Sequence, residues 1–158
     1  MSSFPLADEA ATEALAGHAA RRLDPGSAPL VVYLEGDLGA GKTSFARGML
    51  RALGETGPVR SPTYGLLAEY GTPAGRVVHI DLYRLRSPAE LTALGLADHL
   101  PGSLLWLVEW PEKGRGGLMP AADAVLRLEV EGSGRRLEGR ALTRAGESWL
   151  AGLCADCG

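Results

Sequence analysis

A glycine-rich segment at residues 36–43 constrains this chain more than any other part of its sequence. It reads Gly36-Asp37-Leu38-Gly39-Ala40-Gly41-Lys42-Thr43 and matches the pattern G-x-x-x-x-G-K-[ST] at every position. The apolar run 30–34 precedes it, and an amphipathic helical pattern over 42–53 follows it. A strand, a glycine turn and a helix in this order aim backbone N–H groups and the positive end of the helix dipole at one point. The segment therefore predicts a Walker A phosphate-binding loop, or P-loop.

The last two residues of this loop suit nucleotide chemistry. In a loop of this kind, Lys42 reaches the β- and γ-phosphates and the Thr43 hydroxyl binds Mg²⁺. The alternative is a strand–helix turn that binds nothing. The correct flanks on both sides disfavour that alternative.

The remaining patterns alternate between helix and strand. Predicted helices cover 8–22, 42–53 and 144–153, and predicted strands cover 30–34, 64–70, 76–83, 104–108, 124–131 and 135–142. Ser87, Pro88 and Glu90 together favour a further helix start, and Gly95 interrupts that helix. Two wholly apolar strands indicate parallel pairing, whereas two short hairpin connections add antiparallel strands. The fold expected is α/β, a P-loop NTPase-type three-layer fold with a mixed, partly antiparallel central sheet.

Length and composition narrow the class of protein. At 158 residues the chain has room for one domain, which we expect over 1–150 with a carboxyl-terminal tail at 151–158. A net charge of −3 excludes a strongly basic nucleic-acid-binding module. No apolar run nears the roughly 18 residues of a membrane span, and the amino terminus lacks a signal-peptide core. Cys154 and Cys157 lie at the chain end and cannot complete a tetrahedral zinc site alone. We expect a soluble cytoplasmic protein.

Two carboxylates are candidates for the metal side of the site. Glu109 follows the apolar strand 104–108, and Asp81 lies near the end of the strand 76–83. A carboxylate at the carboxyl end of a buried strand can hold Mg²⁺, while a second one orients or deprotonates the attacking water. The sequence leaves open which carboxylate does which, and whether either is only a solvated strand end.

Other polar residues near these carboxylates have competing interpretations. Ser61-Pro62-Thr63 is either a switch that senses the γ-phosphate or a simple turn before the next strand. Arg84 and Arg86 can stabilise charge on a phosphate, although surface arginines without such a role are commoner. We expect His79 to be a packed or hydrogen-bonded histidine rather than a catalyst.

Taken together, these segments resemble the TsaE (YjeE) family of bacterial P-loop ATPases. Besides 36–45, the resemblance is carried by Ser61-Pro62-Thr63-Tyr64, His79-Ile80-Asp81-Leu82-Tyr83-Arg84-Leu85 and Val108-Glu109-Trp110-Pro111-Glu112. They follow the family order across about residues 8–150. A P-loop alone is widespread, whereas its combination with the other three segments is specific.

The resemblance implies a role in making threonylcarbamoyladenosine next to the anticodon of tRNA. It implies that ATP and Mg²⁺ are the cofactors and that TsaD and TsaB are the partners, with tRNA contacted only indirectly and no membrane. In that family the protein hydrolyses ATP to reset the assembly rather than transferring the carbamoyl group.

The resemblance also implies roles for single residues. Thr43 and Glu109 are the expected Mg²⁺ ligands, and Asp81, Lys42 and Thr63 are the expected catalytic residues. Nucleotide contacts are expected from Asp37, Leu38, Gly39, Ala40, Gly41, Lys42 and Thr43, from Trp110, and more loosely from Thr12 and Arg135 at the base or ribose.

Two other functions use the same loop. A small-molecule kinase would pass the γ-phosphate to an acceptor, with Asp81 as the base, and a nucleotide-gated adaptor would use binding alone. A guanine-specific protein receives no support, because the chain has no N-K-x-D segment. Since no clear arginine finger is present, we expect slow ATP hydrolysis by the isolated chain.

Overall fold

A computed structural model describes residues 1–60, 62 and 66–156, with residues 155 and 156 described by their backbone alone. Its strands are β1 Ser2–Leu6, β2 Leu30–Glu35, β3 Leu67–Thr72, β4 Gly75–Asp81, β5 Ser103–Glu109, β6 Ala124–Glu131 and β7 Gly134–Ala141. Its helices are α1 Glu9–Arg21, α2 Lys42–Ala52, α3 Glu90–Ala93, α4 Leu96–His99 and α5 Arg144–Asp156, with a 3₁₀ turn at Pro111–Gly114.

The described strands form one mixed sheet in the order β1-β7-β6-β2-β5-β4-β3. The four central strands, β6, β2, β5 and β4, are parallel to one another. The β3–β4 and β6–β7 hairpins and the β1–β7 pair are antiparallel. The predicted mixed sheet is therefore confirmed, with parallel strands at its centre and antiparallel strands at both margins.

Helices cover the sheet on both faces, which explains why the runs 30–34 of β2 and 104–108 of β5 are apolar. Val32 and Leu34 of β2 face α1, α2 and α5, whereas Val31 joins the cluster under α3 and α4. Trp106 of β5 is fully buried on the side of α3 and α4. A strand packed on both faces consists mainly of apolar residues. The predicted three-layer α/β class is confirmed.

Local signals fix the ends of the two helices beside the loop. Asp8 accepts a hydrogen bond from the Ala11 N–H at 2.8 Å and caps α1, as its position predicts. Gly54, with φ of 104°, follows the end of α2 in the conformation expected of a helix-ending glycine.

Two elements differ from the sequence expectation. Strand β1 was not predicted, because only Phe4 and Leu6 point inward and Pro5 argues against a strand; at the sheet edge, a proline is tolerated. The helix expected from Ser87 begins only at Glu90 and has four residues. The Glu90 carboxylate does accept a hydrogen bond from the Ser87 N–H at 3.2 Å, which is one half of the predicted capping box.

The carboxyl-terminal segment also differs from the expected tail. Helix α5 continues to Asp156, and Leu153 is fully buried in the main core. A fully buried leucine contributes about 1.5–3 kcal/mol through the hydrophobic effect. Residues beyond 150 therefore belong to the packed structure at least as far as Leu153. No helix in the described part of the chain has the length and apolar character to cross a bilayer.

The close packing of α1 on α2 predicts opposite effects for two glycine substitutions. A Cβ on Gly48 would lie 2.8 Å from the Ala16 Cβ, whereas one on Gly17 would be in ordinary van der Waals contact with the Arg21 side chain at 3.5 Å and the Ala52 Cβ at 3.9 Å. We expect Gly48→Ala to lower the free energy of unfolding by about 1–3 kcal/mol through overpacking. Gly17→Ala should raise it by about 0.5–1 kcal/mol through backbone entropy. Urea denaturation of both variants measures these changes, and a stabilising Gly48→Ala would contradict the packing.

Candidate functional site

The loop and both candidate carboxylates lie at one edge of the sheet. In the parallel register Leu34 pairs with Glu109, and Glu109 pairs with Asp81. The carboxyl ends of β2, β5 and β4 are therefore side by side, and the loop leaves β2 just beyond them. Ligands of open α/β sheets bind in the crevice outside these strand ends.

Three loop glycines have positive φ, which gives the loop its tight turn. Gly36, Gly39 and Gly41 have φ of 141°, 79° and 109°. At Gly36 a Cβ would lie 2.3 Å from the Leu128 carbonyl oxygen of β6, so only glycine fits there. Gly41 begins α2 without a capping side-chain hydrogen bond. The helix end thus presents its N–H groups and dipole towards the loop, an arrangement that favours an anion.

Lys42 is a nearly buried cation inside this loop. It is 5% exposed, and its Nζ donates hydrogen bonds to the carbonyl oxygens of Gly36 and Asp37, the latter at 3.2 Å. The Trp110 ring centroid lies 3.9 Å from the same Nζ. Burial lowers the pKa of Lys42 below its ordinary value, although nearby carboxylates, chiefly Glu109, oppose this shift. A phosphate that pairs with the ammonium would offset the free-energy cost of burying this charge.

A short hydrogen-bonded chain links the loop to the sheet. The Thr43 hydroxyl donates to Glu109 Oε1 at 3.2 Å, and Glu109 Oε2 lies 2.6 Å from His79 Nε2. Among the described residues, no three acidic, histidine or cysteine side chains converge as a metal cage. Mg²⁺ needs no such cage, because it is commonly held by one or two carboxylates together with substrate phosphates and water. Thr43 and Glu109 together can supply two of its oxygen ligands.

Asp81 is held in a fixed orientation beside these residues. Its Oδ1 accepts a hydrogen bond from the Tyr83 N–H at 2.9 Å, and its own N–H donates to the Leu66 carbonyl at 2.9 Å. The carboxylate lines the same cavity as Lys42 and Glu109. The structure thus brings the two acidic candidates together without assigning either role.

Two cavities flank the loop. One has a volume of about 410 Å³, and its lining includes the loop, Asp81, Glu109 and Trp110. The other, about 280 Å³, lies on the opposite flank and is lined by Thr12 of α1 and Arg135 of β7 together with loop residues. Gly39, Gly41 and Ser44 line both. An extended ligand can therefore pass across the loop from one cavity to the other.

The second cavity brings together two residues that are far apart in sequence. Arg135 donates a hydrogen bond to the Gly39 carbonyl at 3.0 Å, which ties the β6–β7 turn to the loop. Thr12 is 2% exposed, and its hydroxyl donates to the Asp8 carbonyl at 3.4 Å. Both residues thus lie at the loop flank away from Asp81 and Glu109.

An aromatic pair closes the carboxylate side. The rings of Tyr83 and Trp110 have centroids 5.0 Å apart, and Trp110 has a φ of 57°. Lys113 lies 5.1 Å from the Tyr83 ring centroid, so both lysines of the chain lie against this pair. Tyr83 was not predicted as a site residue from the sequence. Its position two residues after Asp81, beyond the end of β4, was the available signal.

The other candidates divide between the cavity and its surroundings. Arg84 is exposed and lines the larger cavity, whereas Arg86 is not among its lining residues. Pro62 also lines this cavity, but Ser61 and Thr63 lie outside the described residues. Of the predicted switch 61–63, only Pro62 is among the described residues.

Comparisons with known proteins identify a family for this chain. The family model described as "Threonylcarbamoyl adenosine biosynthesis protein TsaE" matches residues 6–139. A Haemophilus influenzae protein named "tRNA threonylcarbamoyladenosine biosynthesis protein TsaE" is 43% identical over 122 residues, covering 77% of each chain. A Bacillus subtilis protein of the same name is 41% identical over 99 residues, covering 63% of this chain and 60% of its own.

A solved structure extends the similarity to the fold. The structure titled "Crystal structure of Bacillus subtilus YdiB" superposes with a TM-score of 0.79 at 26% identity. The match covers 99% of this chain and 96% of that one.

The environment of Lys42 predicts its titration in the nucleotide-free protein. Because burial disfavours the charged form, we expect the ammonium to lose its proton below the ordinary lysine value of about 10.4. A ¹³C NMR titration of the two lysine side chains measures this, with Lys42→Arg identifying the signal that belongs to Lys42. A Lys42 signal that titrates at or above the ordinary value would contradict the burial argument.

Proposed function

Because the chain belongs to the TsaE family, we propose that it is a Mg²⁺-dependent ATPase that supports threonylcarbamoyl modification of tRNA adenosine. Its family membership places it in tRNA threonylcarbamoyladenosine biosynthesis. One observation carries the ATPase proposal. Lys42 and the hydrogen-bonded pair Thr43–Glu109 meet at the mouth of a glycine loop that ends in a helix N-terminus.

The two cavities support one orientation of the nucleotide on the loop. In this proposal the phosphates lie on the loop and contact Asp37, Leu38, Gly39, Ala40, Gly41, Lys42 and Thr43. The terminal phosphate points into the cavity that Asp81 and Trp110 line, and the base and ribose lie beside Thr12 and Arg135. The opposite orientation would place the terminal phosphate away from both carboxylates, where none of the expected chemistry can occur.

The metal fits the residues present. Thr43 and Glu109 would hold Mg²⁺, whose charge would offset that of the β- and γ-phosphates. The hydrogen bond between their oxygens, at 3.2 Å, already brings the two ligands together. A hydroxyl and a carboxylate are hard oxygen donors, the type that Mg²⁺ prefers.

Within the protein, Asp81 and Lys42 carry the remaining steps. Asp81, fixed by the Tyr83 N–H, orients or deprotonates the attacking water. Lys42 exchanges its carbonyl contacts for phosphate oxygens and stabilises the charge that develops on them. We keep Thr63 as a third candidate for this chemistry on sequence grounds.

The residues around the larger cavity support the proposal that ATP hydrolysis depends on a partner. Arg84 is exposed at the cavity, and Leu38 at the tip of the loop is 65% exposed, although it is apolar. An arginine held against the transferring phosphate is worth about 10³–10⁵ in rate. We propose that the TsaB–TsaD complex docks at this open side and raises a low intrinsic turnover.

Two loop substitutions separate binding from hydrolysis. Lys42→Ala should abolish ATP binding, because it removes the ammonium that lies against the loop carbonyls. Thr43→Ala should chiefly weaken Mg²⁺-dependent hydrolysis. Calorimetry and phosphate release measure the two effects, and Thr92→Ala on the exposed surface of α3 is the control. Equal ATP affinity in Lys42→Ala and the unmodified protein would exclude the proposed phosphate loop.

Product analysis distinguishes the ATPase from its alternatives. An ATPase releases one free phosphate for each ADP formed, whereas a kinase yields ADP without matching phosphate. We expect equal amounts, at a rate that TsaB and TsaD increase. Asp81→Asn should bind ATP yet fail to support tRNA modification in a reconstituted assay. Full modification by this variant would instead favour a nucleotide-gated adaptor.

A further inference from the structure

The polar side chain of His79 in β4 does not line the cavity beside the loop. His79 is fully buried, between strand neighbours Ala68 and Leu107 that bring no polar side chain. Its Nε2 lies 2.6 Å from Glu109 Oε2. Its Nδ1 is buried without a hydrogen-bond partner in the described part of the chain. A buried polar group that lacks a partner costs about 1–3 kcal/mol, so an apolar residue would suit the sheet better.

The orphaned nitrogen indicates where the imidazole proton lies. An ionised carboxylate only accepts hydrogen bonds, so Nε2 carries the proton that the contact with Glu109 requires. A second proton on Nδ1 would create a buried donor without an acceptor among the described residues. We therefore assign the neutral tautomer with its hydrogen on Nε2.

This contact fixes the orientation of a nearly buried carboxylate. The Glu109 side chain is 3% exposed. His79 Nε2 lies 2.6 Å from its Oε2, and the Thr43 hydroxyl lies 3.2 Å from its Oε1 and 3.5 Å from its Oε2. Rotation of the carboxylate would break both contacts within a packed core. In metal sites, an outer hydrogen-bond partner of this kind orients the ligand, and its loss costs about 10–100-fold in metal affinity.

We propose that His79 is a positioning residue that holds Glu109 ready for Mg²⁺, so that it sets how strongly Mg²⁺ and nucleotide bind together. The inference rests on the proposed function, in which Glu109 is a Mg²⁺ ligand. It predicts that His79 affects the metal-dependent part of nucleotide affinity and leaves the metal-free part unchanged. A histidine that served only to pack the core would instead alter stability, or both affinities equally.

A matched pair of substitutions isolates the hydrogen bond from the packing. Glutamine places an amide N–H near the position of Nε2, whereas methionine has a similar length and no donor. The measured quantity is the dissociation constant of the ATP analogue AMPPNP with excess Mg²⁺ and with EDTA, by calorimetry on the full chain. The dissociation constant with EDTA divided by that with Mg²⁺ measures the coupling between Mg²⁺ and nucleotide binding.

We expect His79→Met to reduce this ratio by about 10–100-fold, His79→Gln to restore most of it, and the EDTA constants to stay equal. Glu109→Gln should reduce the ratio as well. Adding His79→Met to Glu109→Gln should cause little further loss, because His79 acts through that carboxylate. An unchanged ratio in His79→Met, or an equal loss in the glutamine and methionine variants, would overturn the proposal.

Measurements on the unmodified protein distinguish a failure of the proposed function from a failure of the proposed role of His79. If its AMPPNP affinity is the same with Mg²⁺ and EDTA, the proposed metal-dependent function fails before any variant is considered. If it shows coupling and the variants do not change it, the His79 inference alone fails.

NMR of the histidine rings tests the geometry even if His79→Met does not fold. The chain has three histidines, and long-range ¹H–¹⁵N spectra identify the tautomer of each ring. We expect a neutral Nε2–H tautomer for His79, with a shift that changes on adding AMPPNP and Mg²⁺ but not AMPPNP and EDTA. A proton on Nδ1 alone, or the same response with and without the metal, would overturn the proposal.

Discussion

The site depends on one steric constraint at the exit of β2. A Cβ on Gly36 would lie 2.3 Å from the Leu128 carbonyl oxygen of β6, so the first residue of the loop has no room for a side chain. This contact sets the direction in which residues 37–41 leave the sheet, and hence where α2 begins. The buried position of Lys42 follows from it, as does the reach of Thr43 to Glu109. A phosphate site of this kind is built by the backbone first and by side chains second.

The antiparallel margins add to this centre what the parallel strands cannot supply. The β6–β7 turn brings Arg135 onto the Gly39 carbonyl, and α1, packed on α2, brings Thr12 to the same flank. The carboxyl ends of β4 and β5 bring the acidic side chains to the other flank. The loop therefore lies between two cavities with different linings, of which the proposal assigns one to the nucleoside and the other to the terminal phosphate. This division is the physical basis of the proposed nucleotide orientation.

Much of the fold could be predicted because its strongest elements carry local signals. The apolar runs of β2 and β5, the Asp8 cap of α1 and the glycine that follows α2 are all legible without tertiary information. Strand β1 could not be predicted, since it is stabilised by pairing with β7, 130 residues later in the chain, rather than by its own composition. The short α3 shows the opposite error, because strong start signals at Ser87 did not ensure a long helix.

The sequence by itself determined the glycine loop between strand and helix, the two carboxylates at strand ends and the family, because these depend on residue identity at short and fixed spacings. Only the tertiary structure decided which groups meet. Glu109 and Asp81 became neighbours through the parallel register of β4 and β5, and His79 became the partner of Glu109 through the same register. The order and register of the parallel strands arise from contacts between segments far apart in the chain, whose energy depends on the whole packed core and cannot be read from one local pattern.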